Sequence, residues 1–162
     1  MDRTPIYTEA LLEARGLIAA ETDCTAVLAN LAALLKEHFN FFWVGFYRAN
    51  AEQSELILGP FQGPIACTRI KRGPGVCGAA WEQRQSLIVP DVHQFPGHIA
   101  CNSASKSEVV VPFFRSDKLF CVLDIDSTNF ADFSEVDRQH LEKLRDMFLE
   151  SWEERKLFNN PT

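Results

Sequence analysis

The sequence predicts a mixed α/β (α+β) fold, an antiparallel sheet with helices on one face and loops over the other. Three observations carry this expectation. Apolar residues recur at helical spacing near both ends, at Val27, Leu28, Leu31, Leu34 and Leu35 and again at Leu141, Leu144, Phe148 and Trp152. Between them lie short runs of strand formers joined by tight turns, the pattern of antiparallel neighbours. One such run, Lys118 to Asp126, alternates between an apolar set and a set that ends in two aspartates.

Length and composition bound the answer. The chain has 162 residues, which suits one domain over 1–162 with a sizeable core. It is 46% hydrophobic and 23% charged, an ordinary globular balance. Thirteen Phe and three Trp point to a well-filled core or an aromatic-lined pocket. The net charge of −6 comes without a basic block, which argues against nucleic acid and anionic membrane as partners. The first residues carry acids and no long apolar run, so neither a secretory signal nor a membrane span is expected. A cytoplasmic location follows as the default, and the five cysteines are then reduced thiols at rest. Cys67, Cys77, Cys101 and Cys121 lack zinc-ligand spacing and no histidine pairs with them, so no metal site is expected.

In chain order, Thr4-Pro5 reads as an N-cap and a first helical residue, opening a helix to about Ala20. A second helix starts after Thr22 or Asp23, and Cys24 on its apolar stripe reads as a small buried hydrophobe. Phe41 to Ala49 is a strand, with Phe41, Trp43, Gly45 and Tyr47 on one face and Phe42, Val44 and Phe46 on the other. Asn50 to Gln53 is the turn into a second strand, Ser54 to Leu58.

A stretch dense in Gly and Pro follows. Cys67 sits in a short apolar segment, Ile65 to Ile70, with strand character. Gly73-Pro74-Gly75 breaks the chain, and Val76 to Arg84 is a short helix. Gly75 and Gly78 suggest a close backbone approach, with a ligand as one candidate for what approaches. The spacing fits no phosphate-binding loop. Leu87 to Val89 is a brief strand, and Val92 to Ala100 a loop. His93 and His98 in that loop read as exposed or bonded to backbone, or else as tuning a nearby thiol.

Glu108 to Phe114 and Lys118 to Asp126 form a hairpin turned at Ser116-Asp117. Leu119, Cys121, Leu123 and Ile125 share the helix side, which makes Cys121 core. Asp124 and Asp126 then face the roofed side with Trp43 and Tyr47. Glu108 is inferred to join them, a point that only cross-strand register decides. Cys101, in a loop of small polar residues, brings a nucleophile to three carboxylates. Ser134 opens a capping signature, S-E-V-D, for a last helix running towards Leu157, with His140 packed on its apolar side.

These residues carry a family resemblance. The order of elements and the strings GPGVCGAAW and KLFCVLDIDS resemble a GAF domain. Within that group the chain is similar to the free methionine-(R)-sulfoxide reductases, on WVGFY, Cys67, Cys77, IACNSASKSEVVVP and LDIDS. The likeness covers nearly the whole chain. LDIDS alone is weak, because many GAF domains have something similar; three cysteines in these contexts are specific. Cys121 departs from the pattern, since members often have glycine there.

The resemblance implies a GAF-like sheet and a thiol-dependent reduction of free methionine-R-sulfoxide without a cofactor. Such a reaction needs a thiolate that attacks sulfur while the oxygen is protonated and leaves. A second thiol then closes a disulfide, and an external dithiol reopens it. The family places the attack at Cys101, the resolving thiol at Cys67 and a secondary partner at Cys77, with thioredoxin as reductant. It implies Glu108, Asp124 and Asp126 as partners of the substrate ammonium or as proton donors, since crowded acids raise one another's pKa. Trp43 and Tyr47 would wall the S-methyl group, unless they serve only as core. One tension stands: acids beside Cys101 discourage its thiolate. Two other function classes compete. A GAF sensor of a small molecule or of redox state normally carries an output domain, which is not found in this sequence. A structural module would dimerise through the first and last helices, and a homodimer is compatible with every reading.

Overall fold

A computed structural model describes residues 1–98 and 101–155. Its elements are α1 (Thr4–Ala20), α2 (Cys24–Phe39), β1 (Trp43–Ala49), β2 (Glu55–Gln62), β3 (Arg69–Lys71), α3 (Gly75–Gln83), β4 (Leu87–Val89), β5 (Ser107–Arg115), β6 (Lys118–Ser127) and α4 (Glu135–Arg155). A 3-10 turn occupies Val92–Gln94. The strands make one six-stranded sheet in the order β3-β2-β1-β6-β5-β4. Every neighbouring pair is antiparallel, as the tight turns require.

Local chemistry sets the helix ends. The Asp23 carboxylate accepts the Ala26 N–H at 2.9 Å and caps α2. Asn40 closes that helix in the left-handed region, φ 51°. At α1 the N-cap is Arg3, one residue before the expected Thr4, and its side chain makes no capping hydrogen bond. The Asp2 carboxylate accepts the Thr4 N–H and the Thr4 hydroxyl, at 3.0 and 2.6 Å. The expected capping signature of α4 forms: Asp137 accepts the Ser134 N–H at 2.8 Å. The expected end of α4 at Leu157 lies outside the described residues, as does the end of the 92–100 loop.

The sheet separates two apolar clusters. On one face α1, α2 and α4 cover Val44, Phe46, Val109, Val111, Phe113, Cys121, Leu123 and Ile125. On the other, α3 and the connections between β2 and β5 cover Trp43, Tyr47, Val110 and Val122, with Trp81 and Val92 filling the layer. This is the two-sided arrangement that the alternation predicts. His140 stacks on Tyr7 at 4.9 Å and its Nδ1 lies 2.8 Å from the Val136 carbonyl, a packed helix residue as expected. Among the described residues no helix is long and apolar enough to cross a membrane.

Three expectations fail locally, each for a physical reason. Phe41 and Phe42 precede β1, so its alternation does not reach them. Phe41 stacks on Phe39 at 5.0 Å in the helix-side core, while Phe42 packs on the opposite cluster. Phe120 is an extra residue at a bulge, since Phe113 faces Cys121 but Phe114 faces Leu119. That bulge sends Leu119 to the roofed side and turns Phe120 onto Phe148 and Trp152. Finally, β2 extends to Gln62, past a shift in its pairing with β1, whereas the 65–70 segment keeps only Arg69–Lys71 as strand.

Candidate active site

Four elements and two loops meet on the roofed face. β1 contributes Trp43 and Tyr47, β5 Glu108, β6 Asp124 and Asp126, and α3 its first turn with Gly75 and Cys77. The loop before β3 brings Cys67 and the loop before β5 brings Cys101. Together they border a cavity of about 60 Å³.

Sheet register sets the acids. Asp126 stands between Trp43 on β1 and Glu108 on β5; Asp124 stands between Gly45 and Val110. Glu108 thus belongs to the face of the aspartates, the point that sequence alone left to register. Glu108 and Asp124 are buried, and Asp126 is half-buried. No Lys or Arg is among the described residues that line the cavity. With no cation to offset desolvation, burial raises all three acids, and repulsion from Asp124 adds to the rise at Glu108 and Asp126. Burial pushes Asp124 up to about 6. Glu108 lies well above the usual carboxyl range, driven by burial and then by Asp124 and Asp126. Asp126 is raised by burial and by Asp124, and a hydrogen bond with Ser105 opposes the shift. The cluster therefore holds its protons to higher pH than free carboxyls do. The Cys77 thiol, 3.9 Å from Glu108 Oε1, is likewise raised by burial and by the carboxylates.

The two loops are pinned to the aromatic wall. Trp43 Nε1 donates to the Pro64 carbonyl at 3.1 Å, and the Tyr47 hydroxyl donates to the Cys67 carbonyl at 2.9 Å. The Trp43 and Tyr47 rings stack at 5.8 Å, with Phe61 behind Trp43 at 5.3 Å. These aromatics therefore do more than fill the core, for their polar tips hold the strand of chain that carries Cys67. On the other side the Asn102 side chain accepts the Ala104 N–H at 2.9 Å, a local turn that small polar residues favour. The Lys106 N–H then donates to the Ser127 carbonyl at 2.8 Å and starts the β5–β6 pairing. Cys67 and Cys101 meet in a disulfide with Cα atoms 5.4 Å apart, across 34 residues of sequence.

The remaining thiols divide by face. Cys77 lies unpaired in the cavity wall. Cys121 and Cys24 lie on the helix side, with Cys24 pushed up to about 12 by burial. His98 borders the cavity beside Cys101, and burial and then His93 lower its pKa, so it is neutral. His93 is exposed and its Nδ1 lies 3.1 Å from Asp91. Gly78 does not approach a ligand: a Cβ there would meet the Gly73 backbone at 2.9 Å. Gly75 lines the cavity with φ 71°, a conformation that suits glycine.

Sequence reasoning did not single out Phe42, Val76 or Ser105, which also line the cavity. Phe42 was hidden by the irregular entry to β1, and Ser105 by a loop without periodicity. No spacing rule announces that Cys77, Glu108 and Asp124 converge this closely. Their ligand atoms all lie within 4.8 Å of one another, close enough to share a metal ion, and they come from three elements.

Comparison with known proteins follows the same lines. Residues 21–145 match the GAF domain family. "GAF domain-containing protein A" of Dictyostelium discoideum is 54% identical over 138 residues, 85% of this chain and 87% of that protein. The free methionine-R-sulfoxide reductase of Escherichia coli (strain K12) is 46% identical over 145 residues, 89% of this chain and 87% of that protein. The X-ray structure of free methionine-R-sulfoxide reductase from Neisseria meningitidis, in complex with its substrate, superposes with a TM-score of 0.92 at 46% identity. That superposition covers 96% of this chain and 93% of the other.

Proposed function

Because this chain belongs to the GAF domain family, on its free methionine-R-sulfoxide reductase branch, we propose that it reduces free L-methionine-(R)-sulfoxide to L-methionine. The observation that carries the proposal is the Cys67–Cys101 disulfide at the edge of a cavity lined by three crowded carboxyl groups. A disulfide there is the product state of such a reaction.

In the reduced protein the Cys101 sulfur attacks the sulfoxide sulfur, and the oxygen passes to Cys101 as a sulfenic acid. Methionine leaves. The Cys67 thiol then attacks the sulfenic sulfur, the S–S bond forms and water departs with the oxygen. The balance is one sulfoxide and two thiols in, and one sulfide, one disulfide and one water out. The retained protons of the Glu108, Asp124 and Asp126 cluster answer the need to protonate the departing oxygen, and its ionised members pair the substrate ammonium. Trp43 and Tyr47 wall the S-methyl group. The same protons ease the conflict between a carboxyl-rich pocket and a thiolate, because neutral acids repel Cys101 less. Cys77, still a thiol in the disulfide form, serves as a secondary exchange partner. The two electrons come back from a dithiol protein of the thioredoxin type, in a reducing compartment such as the cytoplasm. The 162 residues act as one domain, and the α1–α4 face is available for a homodimer.

The test mixes the protein with thioredoxin, its reductase, NADPH and free methionine-(R)-sulfoxide. NADPH consumption that depends on both protein and substrate is expected. No consumption with the protein thiols verified as reduced would sink the proposal.

A further inference from the structure

We propose that Cys77, Glu108 and Asp124 form a binding site for a thiophilic divalent cation of the Zn²⁺ type. Three features converge on it. The ligand atoms come from α3, β5 and β6, and all lie within 4.8 Å of one another. The Cys77 sulfur is 3.9 Å from Glu108 Oε1. Asp124 Oδ1, on a residue only 7% exposed, has no hydrogen-bond partner. An unpartnered buried carboxylate oxygen is costly, and a cation is the partner that would satisfy it.

The geometry and donor set fit a small tetrahedral ion. With metal–sulfur bonds near 2.3 Å and metal–oxygen bonds near 2.0 Å, tetrahedral ligands stand about 3.3–3.5 Å apart. One thiolate with two carboxylates suits Zn²⁺ and its relatives, whereas Mg²⁺ and Ca²⁺ prefer oxygen alone. A water from the cavity completes the fourth position. The wall of the cavity holds no Lys or Arg among its described residues, so a bound cation would supply positive charge that this lining lacks. Binding breaks the S–H bond of Cys77 and the O–H bond of whichever carboxyl carries a proton. It forms metal–sulfur and metal–oxygen bonds and releases the protons to solvent; no electron moves.

Cys77 is a thiol while Cys67 and Cys101 are joined, so the site exists in the disulfide form. Its test therefore needs no turnover, and its failure is separate from failure of the reductase proposal. The full-length disulfide protein, freed of metal, is titrated with Co²⁺. One equivalent is expected to bind with a near-ultraviolet thiolate-to-cobalt band, and Zn²⁺ is expected to bleach that band by displacement. Cys77→Ser should abolish the band and weaken Co²⁺ binding by at least about tenfold. Asp124→Asn should weaken binding while leaving the thiolate in place, which keeps the test valid if the serine variant folds poorly. A Cys24→Ser/Cys121→Ala double variant should keep the band. No band in the parent protein, or a band that survives Cys77→Ser, would overturn the site.

Discussion

Two buried aspartates, one on each side of the sheet, are handled in opposite ways. Asp137, 1% exposed on the helix side, is fully partnered. It accepts from the Tyr7 hydroxyl at 2.8 Å, from Arg3 Nη1 at 3.1 Å and from the Ser134 N–H at 2.8 Å. Asp124, 7% exposed on the cavity side, has an oxygen with no partner and two acidic neighbours. The first tethers α1 to the start of α4. The second is held in a state that costs free energy to fold, and such states concentrate where chemistry happens. The buried thiols repeat the contrast: Cys121 lies among Phe113, Leu123 and other hydrocarbon, while Cys77 touches a carboxyl. Burial alone therefore does not identify a working residue. What its polar atoms meet does.

The largest effect should come from the cavity side. Cys101→Ser is expected to remove methionine formation even in a single turnover, a loss of at least about 10⁴-fold. Cys67→Ser is expected to form close to one methionine per protein and then stall, since the sulfenic acid lacks its resolving thiol. Rapid-quench measurement of methionine distinguishes the two. Identical behaviour of both variants would reverse or dissolve the assigned roles.

The next effect tests the helix side and should leave chemistry alone. Asp137→Ala strands the Tyr7 hydroxyl, leaves the half-buried Arg3 guanidinium with Asp132 as its one remaining carboxylate, and removes the α4 cap. Losing one member of a buried charged network costs about 3–5 kcal/mol. Urea unfolding should show that drop with turnover per folded molecule unchanged. A drop in turnover without a drop in stability would erase the distinction between the two faces.

Much of this contrast is legible in the sequence, and the illegible part has a common cause. Period-two alternation in Cys121 to Asp126 puts Leu123 and Ile125 on the helices and Asp124 and Asp126 on the cavity, because every residue there is paired. The same rule misplaces Leu119, Phe120, Phe41 and Phe42, which sit at a bulge or ahead of the ladder. The side of Glu108 awaited register, a property of two strands and not of one. The convergence of Cys77 with Glu108 and Asp124 is further from reach, since 31 residues separate Cys77 from Glu108 and no spacing rule links a helix turn to two strands. The partners of Asp137 are also long-range: its S-E-V-D context announces the cap, but Tyr7 and Arg3 arrive from the other end of the chain.

The smallest effect is the most diagnostic of how Asp124 is held. In the unfolded chain its pKa is near the ordinary 3.8; in the folded protein burial raises it to about 6. A raised acid favours folding fully below the unfolded value and loses that contribution as pH climbs through the folded value. Between those limits the unfolded chain gives up the proton first, so stability falls with rising pH. Above about pH 6 the deficit is complete and amounts to about 3 kcal/mol. Asparagine keeps the shape and carries no charge. Asp124→Asn should therefore match the parent protein in stability near pH 4 and exceed it increasingly towards pH 7, while turnover falls. Glu108 and Asp126, both raised in part by Asp124, relax in the same direction and add to the gain. Urea midpoints measured at half-unit steps of pH decide the matter. A stability difference that does not change with pH would mean that Asp124 is as well partnered as Asp137, and the two sides of the sheet would no longer differ in kind.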